Sequence, residues 1–159
     1  MKISVVIPCY CSQNTLKPVV KETVDTLVQR EGVEYEIILV NDGSPDDTME
    51  TIRELCENPC IKGINLARNF GQAGATMAGL GQVTGDIVVY SDDDGQTPIN
   101  HVWSLVDRLE QGADIVFARF AEKKNSAFQN LGSRINGIMA TYLIGKPKGM
   151  HFGNFWCCR

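Results

Sequence analysis

Three carboxylates stand in a row in Tyr90-Ser91-Asp92-Asp93-Asp94-Gly95-Gln96-Thr97-Pro98, directly after an apolar run. On an extended segment, side chains two apart point the same way, so Asp92 and Asp94 share a face and Asp93 points elsewhere. Like charges so placed repel unless a cation lies between them. Their oxygen ligands suit a hard divalent ion, Mg²⁺ or Mn²⁺, that completes its shell with substrate phosphates. A hydrated turn is the alternative, since Asp and Gly are turn residues.

Other polar groups follow other apolar runs. Asp42, beside Gly43 and Ser44, is placed to bond a base N–H edge or ribose hydroxyls, because the spacing assigns helix capping to Ser44 instead. Arg68 stands where a phosphate or a carboxylate could pair with it. The glycines at 71, 74, 79 and 81 form neither a GxGxxG fingerprint after the first strand nor a phosphate-binding GxxxxGK[ST] loop. His101 and His151 are isolated and read as structural.

These residues need a scaffold, and the hydrophobic pattern supplies one. Apolar β-branched runs alternate with helical periodicity, the pattern of an α/β sheet wound by crossover helices. Strands are expected at Lys2 to Pro8, Tyr35 to Val40, Ile61 to Leu66, Asp86 to Ser91 and Ile115 to Ala118, with an extended piece from Phe152 to Cys158. Helices are expected at Asn14 to Arg30, from a Ser44 cap to about Cys56, at Gly74 to Val83, from Thr97-Pro98 to near Gly112, and at Ser126 to Leu143. In an open parallel sheet, ligands bind at the carboxyl ends of the strands. Four polar clusters fall at those ends, which outlines one site.

Composition narrows the function. The 159 residues are 43% hydrophobic and 21% charged, as a globular domain with a core requires, and no linker divides them. With a net charge of −4 and scattered Lys and Arg, the chain lacks the basic stripe that a nucleic-acid partner demands. No apolar stretch approaches the roughly 20 residues of a membrane span, and the start lacks a signal-peptide cleavage site, so a cytoplasmic location is expected. The six cysteines lack the paired CxxC spacing of a zinc site and read as small buried hydrophobes.

The motifs VVIPCY, VNDGSPDDT, NLARNFGQAGATMAGL and GDIVVYSDDDGQTP, in that order, resemble the family 2 glycosyltransferases of the GT-A fold. The likeness is to the branch of dolichyl-phosphate mannose synthase and the bacterial polyprenyl-phosphate glycosyltransferases of cell envelope biogenesis, and it covers essentially the whole chain. The resemblance implies that Pro8, Tyr10 and Asp42 line a nucleotide pocket and that Arg68 and Gly71 lie near the nucleotide sugar. It implies that Asp92 and Asp94 are the DxD pair binding metal and diphosphate, with Gln96 a further metal contact and Asp93 kept among the substrate-facing residues. Arg119, Ser133 and Arg134 fall where related enzymes place groups for the acceptor phosphate. Three departures stand out. The family's Tyr-Asn-Glu is Tyr10-Cys11-Ser12, which loses the Glu, its Asp-Asp-Gly-Ser is Asn41-Asp42-Gly43-Ser44, which loses an acid, and its Asp-Ala-Asp is Asp92-Asp93-Asp94, which gains one.

The implied reaction passes a sugar, with inversion, from a UDP- or GDP-linked donor to an acceptor. A polyprenyl phosphate, already an anion, needs no dedicated base, and with His151 read as structural no late Asp or His stands out to act as one. Lys123, Lys124 and Arg134, beside the apolar stretch 137 to 144, fit either an anionic lipid headgroup or a solvated loop followed by an ordinary core helix. Transfer to a saccharide hydroxyl and a non-catalytic nucleotide-sugar module are the alternatives. A nucleotidyltransferase is disfavoured, because Cys9-Tyr10-Cys11-Ser12-Gln13-Asn14 lacks the Gly-rich basic loop. Many relatives continue into amphipathic and membrane-spanning helices where this chain stops. The expectation is therefore a catalytic domain over 1 to 159, truncated at its C-terminus, in a protein at the inner face of the membrane.

Overall fold

The computed structural model describes residues 1–118 and 153–159. The chain divides into two compact units, Met1–Phe117 with Asn154–Arg159, and Ala118–Gly153. Every described strand and helix belongs to the first unit. The expected helix from Ser126 to Leu143 lies outside the described residues, as do Arg119, Lys123, Lys124, Ser133, Arg134 and His151.

The expected α/β architecture is present. Strands β1 (Lys2–Cys9), β2 (Glu34–Asn41), β3 (Ile61–Asn65), β4 (Ile87–Tyr90), β5 (Ile115–Phe117) and β6 (Trp156–Cys158) form one sheet in the order β3-β2-β1-β4-β6-β5. The first four are parallel, while β6 runs antiparallel to both β4 and β5. The helices are α1 (Leu16–Leu27), α2 (Thr48–Leu55), α3 (Gly71–Leu80) and α4 (Val102–Glu110), the last preceded by a 3-10 turn at Ile99–His101.

Burial on both faces explains why β1 and β2 read as continuous apolar runs rather than alternating ones. Val6, Ile38, Val40 and Val88 pack with Ala75 of α3 in one cluster. Ile3, Val5, Ile7, Ile37 and Leu39, which alternation sends to the opposite face, are also fully buried. Helix α3 lies close because Gly79 meets the sheet: a Cβ there would stand 2.5 Å from Val6 Cγ1. That approach accounts for the small residues along α3.

The chain winds outward from β1 through β2 to β3, then returns across β1 to β4, so strand order reverses between β1 and β4. Strand β4 pairs with β1 only from Ile3 to Val6, whereas β1 continues to Cys9 against β2 alone. Pro8, which has no N–H to give, is tolerated where one neighbour has left the ladder. A crevice opens at this reversal, where open α/β sheets bind ligands.

Several helix starts differ from expectation. Helix α1 begins at Leu16, after a turn in which the Ser12 carbonyl accepts the amides of Thr15 and Leu16. Ser44 is not the cap of α2: its hydroxyl accepts the Cys11 amide at 3.1 Å, and the helix begins at Thr48, whose amide and hydroxyl both bond Asp46 Oδ1. Nor does Thr97 begin α4, because its hydroxyl accepts the Asp92 amide at 3.4 Å while a 3-10 turn intervenes. At Ser44 and Thr97 a side chain that could cap its own helix is instead taken by another loop or bend.

Candidate active site

Each strand end at the reversal contributes an anchored loop. After β1, Cys11 takes a left-handed conformation (φ 55°) and the loop is tied down by amides, that of Ser12 to Thr48 Oγ1 at 2.8 Å and that of Tyr10 to Asp93 Oδ2 at 3.1 Å. The Tyr10 ring stays about half exposed. After β2, Asp42 is only 3% exposed, and its Oδ1 accepts the Phe70 amide at 2.7 Å. Asp42 thus has a structural duty that spacing did not reveal, because its partner lies 28 residues away. Gly43 makes the contact possible: with φ +65°, a Cβ there would meet the Arg68 carbonyl carbon at 2.5 Å.

These loops enclose a cavity of about 250 Å³ lined by Pro8, Cys9, Tyr10, Asp42 and Asp93, with Asn69, Gly71, Gln72 and Ala75 completing the wall. Five residues singled out in the sequence therefore meet: Pro8, Tyr10, Asp42, Gly71 and Asp93. Cys9 is buried against the Ile7 carbonyl, and burial, with the Asp93 carboxylate nearby, pushes its thiol up. It serves as packing rather than as a nucleophile.

The three acids occupy different surroundings. Asp92 Oδ1 accepts bonds from the Tyr90 hydroxyl and from Gln72 Nε2, both at 2.9 Å, and Gln72 also donates to the Tyr90 oxygen at 2.7 Å. Asn154 bonds Asp92 as well. Burial holds the Asp92 carboxyl above its ordinary range, against these bonds, and the charges of Asp94 and Asp93 add to the rise. Asp94 is exposed, and its Oδ1 accepts the Gln96 amide at 2.9 Å. Asp93 is not turned away from the site as alternation implied: β4 ends at Tyr90, so the acids lie on a bend with Gly95 at φ +73°, where period two no longer applies. Its Oδ2 accepts from both the Tyr10 amide and the Ser12 hydroxyl.

Arg68 is exposed outside the cavity wall, its guanidinium stacked on the Phe70 ring at 4.9 Å, and among the described residues it pairs with no carboxylate. Gln72 and Asn69 stand in the polar cluster after the third strand, but the sequence assigned neither a role. Gln72 was legible only as part of a motif, whereas its bond to Asp92 depends on where α3 starts. Among the described residues no three His, Cys, Asp or Glu side chains converge as a metal cluster. A hard cation would thus find two carboxylates here and need phosphate or water oxygens for the rest, which fits Mg²⁺ or Mn²⁺ chemistry.

The glycosyl transferase family 2 model matches residues 4–158. The chain belongs to that family. Undecaprenyl-phosphate 4-deoxy-4-formamido-L-arabinose transferase of Photorhabdus laumondii is 39% identical over 150 residues, covering 93% of this chain and 46% of that protein. The protein of the same name from Klebsiella pneumoniae is 35% identical over 158 residues, covering 98% and 47%. The chain thus spans about half the length of the curated relatives it matches. Among solved structures, glucosyl-3-phosphoglycerate synthase from Mycobacterium tuberculosis in complex with UDP superposes with a TM-score of 0.69 at 21% identity, over 99% of this chain and 56% of that one. A mannosyltransferase from Pyrobaculum calidifontis in complex with GDP-Man and Mn²⁺ gives a TM-score of 0.63 at 21% identity, over 98% and 44%. This family 2 chain therefore has the GT-A fold expected from its motifs.

Proposed function

We propose that this family 2 chain is the catalytic domain of an inverting, metal-dependent glycosyltransferase that moves a sugar from a UDP- or GDP-linked donor to a polyprenyl phosphate. One observation carries most weight: a cavity at the strand-order reversal brings buried Asp42 and exposed Tyr10 beside the Asp92 to Asp94 bend. Tyr10 offers an aromatic face to the base, and Asp42 offers an acceptor to nucleoside N–H or hydroxyl groups. The donor diphosphate then extends toward Asp92 and Asp94, with Arg68 at the rim.

A divalent cation held by Asp92 and Asp94, with Gln96 alongside, would supply Lewis-acid relief of the negative charge that builds on the leaving diphosphate. The chain's own residues do the positioning. Tyr90, Gln72 and Asn154 fix the Asp92 carboxylate, so it need not reorganise during the reaction. An acceptor phosphate is an anion at neutral pH and attacks the anomeric carbon without a base. Arg119, Ser133 and Arg134 are assigned to receive it. The polyprenyl-phosphate acceptor is favoured because the curated relatives' names specify undecaprenyl phosphate. Among the described residues no helix is long and apolar enough to cross a membrane. An acceptor of that class is itself a membrane lipid, so it would be met at the membrane face.

The test is incubation with a panel of labelled UDP- and GDP-sugars, polyprenyl phosphate and Mn²⁺ or Mg²⁺. Labelled lipid phosphate is expected with one donor. Label appearing only on a saccharide hydroxyl would overturn the acceptor, and no transfer from any donor would overturn the activity.

A further inference from the structure

Two of the three departures from the family motifs lie far apart in sequence, yet they touch. Position 12, where the resemblance calls for Glu, is Ser, and position 93, where it calls for a small residue, is Asp. The Ser12 hydroxyl donates to Asp93 Oδ2 across 81 positions, and the same oxygen accepts the Tyr10 amide at 3.1 Å. Ser12 is 3% exposed, so the junction is closed on the protein side, while Asp93 lines the cavity with Tyr10 and Asp42.

We propose that Asp93 is the donor pocket's replacement carboxylate: the acid lost from the loop after β1 is supplied instead from the end of β4, and it accepts a hydrogen bond from the nucleoside of the sugar donor. The chemistry of the exchange is economical. A Glu at 12 and an Asp at 93 would place two like charges at one junction, which is unfavourable without a cation. A Ser at 12 removes one charge and donates to the other. Both protein bonds fall on Oδ2, and among the described residues none falls on Oδ1, which remains able to accept from a hydroxyl or N–H group of a ligand. With Oδ2, Asp93 also fixes the backbone at Tyr10, so one side chain both shapes the pocket and meets its occupant.

The inference rests on the donor-pocket assignment above, and one titration separates the two. Binding of UDP and of GDP is measured by calorimetry at saturating Mn²⁺ for the unaltered chain, Asp93→Ala, Asp93→Asn, Ser12→Glu and the double variant Ser12→Glu/Asp93→Ala, with a melting curve for each. Loss of a charge-assisted bond predicts binding weakened about tenfold in Asp93→Ala and Asp93→Asn. Ser12→Glu alone is expected to weaken binding, and the double variant to bind more tightly than either single one. If Asp93→Asn binds as the unaltered chain does, or if a folded double variant binds no better than Asp93→Ala, the exchange is wrong. Should the double variant fail to melt cooperatively, Asp93→Asn decides alone. Failure of the unaltered chain to bind either nucleotide overturns the donor pocket itself.

Discussion

The Asp42 carboxylate, almost wholly buried at the end of β2, accepts the backbone amide of Phe70 at 2.7 Å and so locks the loop after β3 onto the loop after β2. The same carboxylate forms part of the cavity wall. Its structural and proposed binding roles share one side chain. Asp42→Ala leaves the Phe70 amide without this partner and is expected to cost about 1–3 kcal/mol in urea unfolding. It should also abolish nucleotide binding under conditions where the variant remains folded. Full stability with unchanged binding would contradict both roles.

Tyr90 stacks on Trp156, with centroids 5.4 Å apart and rings 4° from parallel, while its hydroxyl reaches Asp92. Tyr90→Phe keeps the ring and removes only the hydroxyl. Its stability should change by no more than about 1.5 kcal/mol. Mn²⁺ affinity in the presence of nucleoside diphosphate should fall about tenfold, as expected when a group orienting a metal ligand is lost. Gln72→Leu should act in the same direction. Unchanged Mn²⁺ titrations in both would remove the positioning role from this triangle.

At the opposite end of the sheet, Glu36 is 3% exposed and accepts from Ser4 Oγ and the Thr84 amide at 2.6 Å, Lys62 Nζ at 2.7 Å and Thr84 Oγ1 at 2.9 Å. Burial pushes its carboxyl up, but these bonds outweigh it and hold the group at about 2, below its ordinary 4.5. The folded state therefore binds this proton less readily than the unfolded chain does. The resulting stabilisation is complete above about pH 4.5 and is lost as pH falls toward 2. Glu36→Gln should lower stability at pH 7 by a few kcal/mol, about what such a shift represents, and flatten the acid limb of stability against pH between those values. Nucleotide binding should be unaffected. An acid limb as steep as in the unaltered chain would show that other groups govern it.

Gly79 tests the packing beneath the site. Gly79→Ala sets a methyl carbon 2.5 Å from Val6 Cγ1 and 3.1 Å from Val40 Cγ2. Overpacking of this kind should cost about 1–3 kcal/mol, measured as a lower urea midpoint. Unchanged stability would mean that α3 shifts freely on the sheet.

The sheet was legible because β1, β2 and β4 are buried on both faces, and such strands read as unbroken β-branched runs between turn residues. The place of β6 was not. Three residues, Trp156-Cys157-Cys158, give no sign that they insert antiparallel between β4 and β5. Helix starts at Ser44 and Thr97 were misread for one physical reason: both hydroxyls are consumed by loops distant in sequence or by a doubled-back bend. In the site, Pro8, Tyr10, Asp42 and Gly71 were legible as strand-end residues, and the cavity unites them. The turn of Asp93 toward Tyr10 was hidden, because residue alternation holds only while the strand lasts and β4 stops at Tyr90.

The central claim is a donor site that needs a cation held by the acid pair. Its most direct test is calorimetric titration of the purified chain with UDP and GDP, in Mn²⁺ and in chelator, beside Asp94→Ala. Binding of one nucleotide in Mn²⁺, lost in chelator and lost in Asp94→Ala, is the predicted result. Equal binding in chelator, or by Asp94→Ala in Mn²⁺, would contradict it.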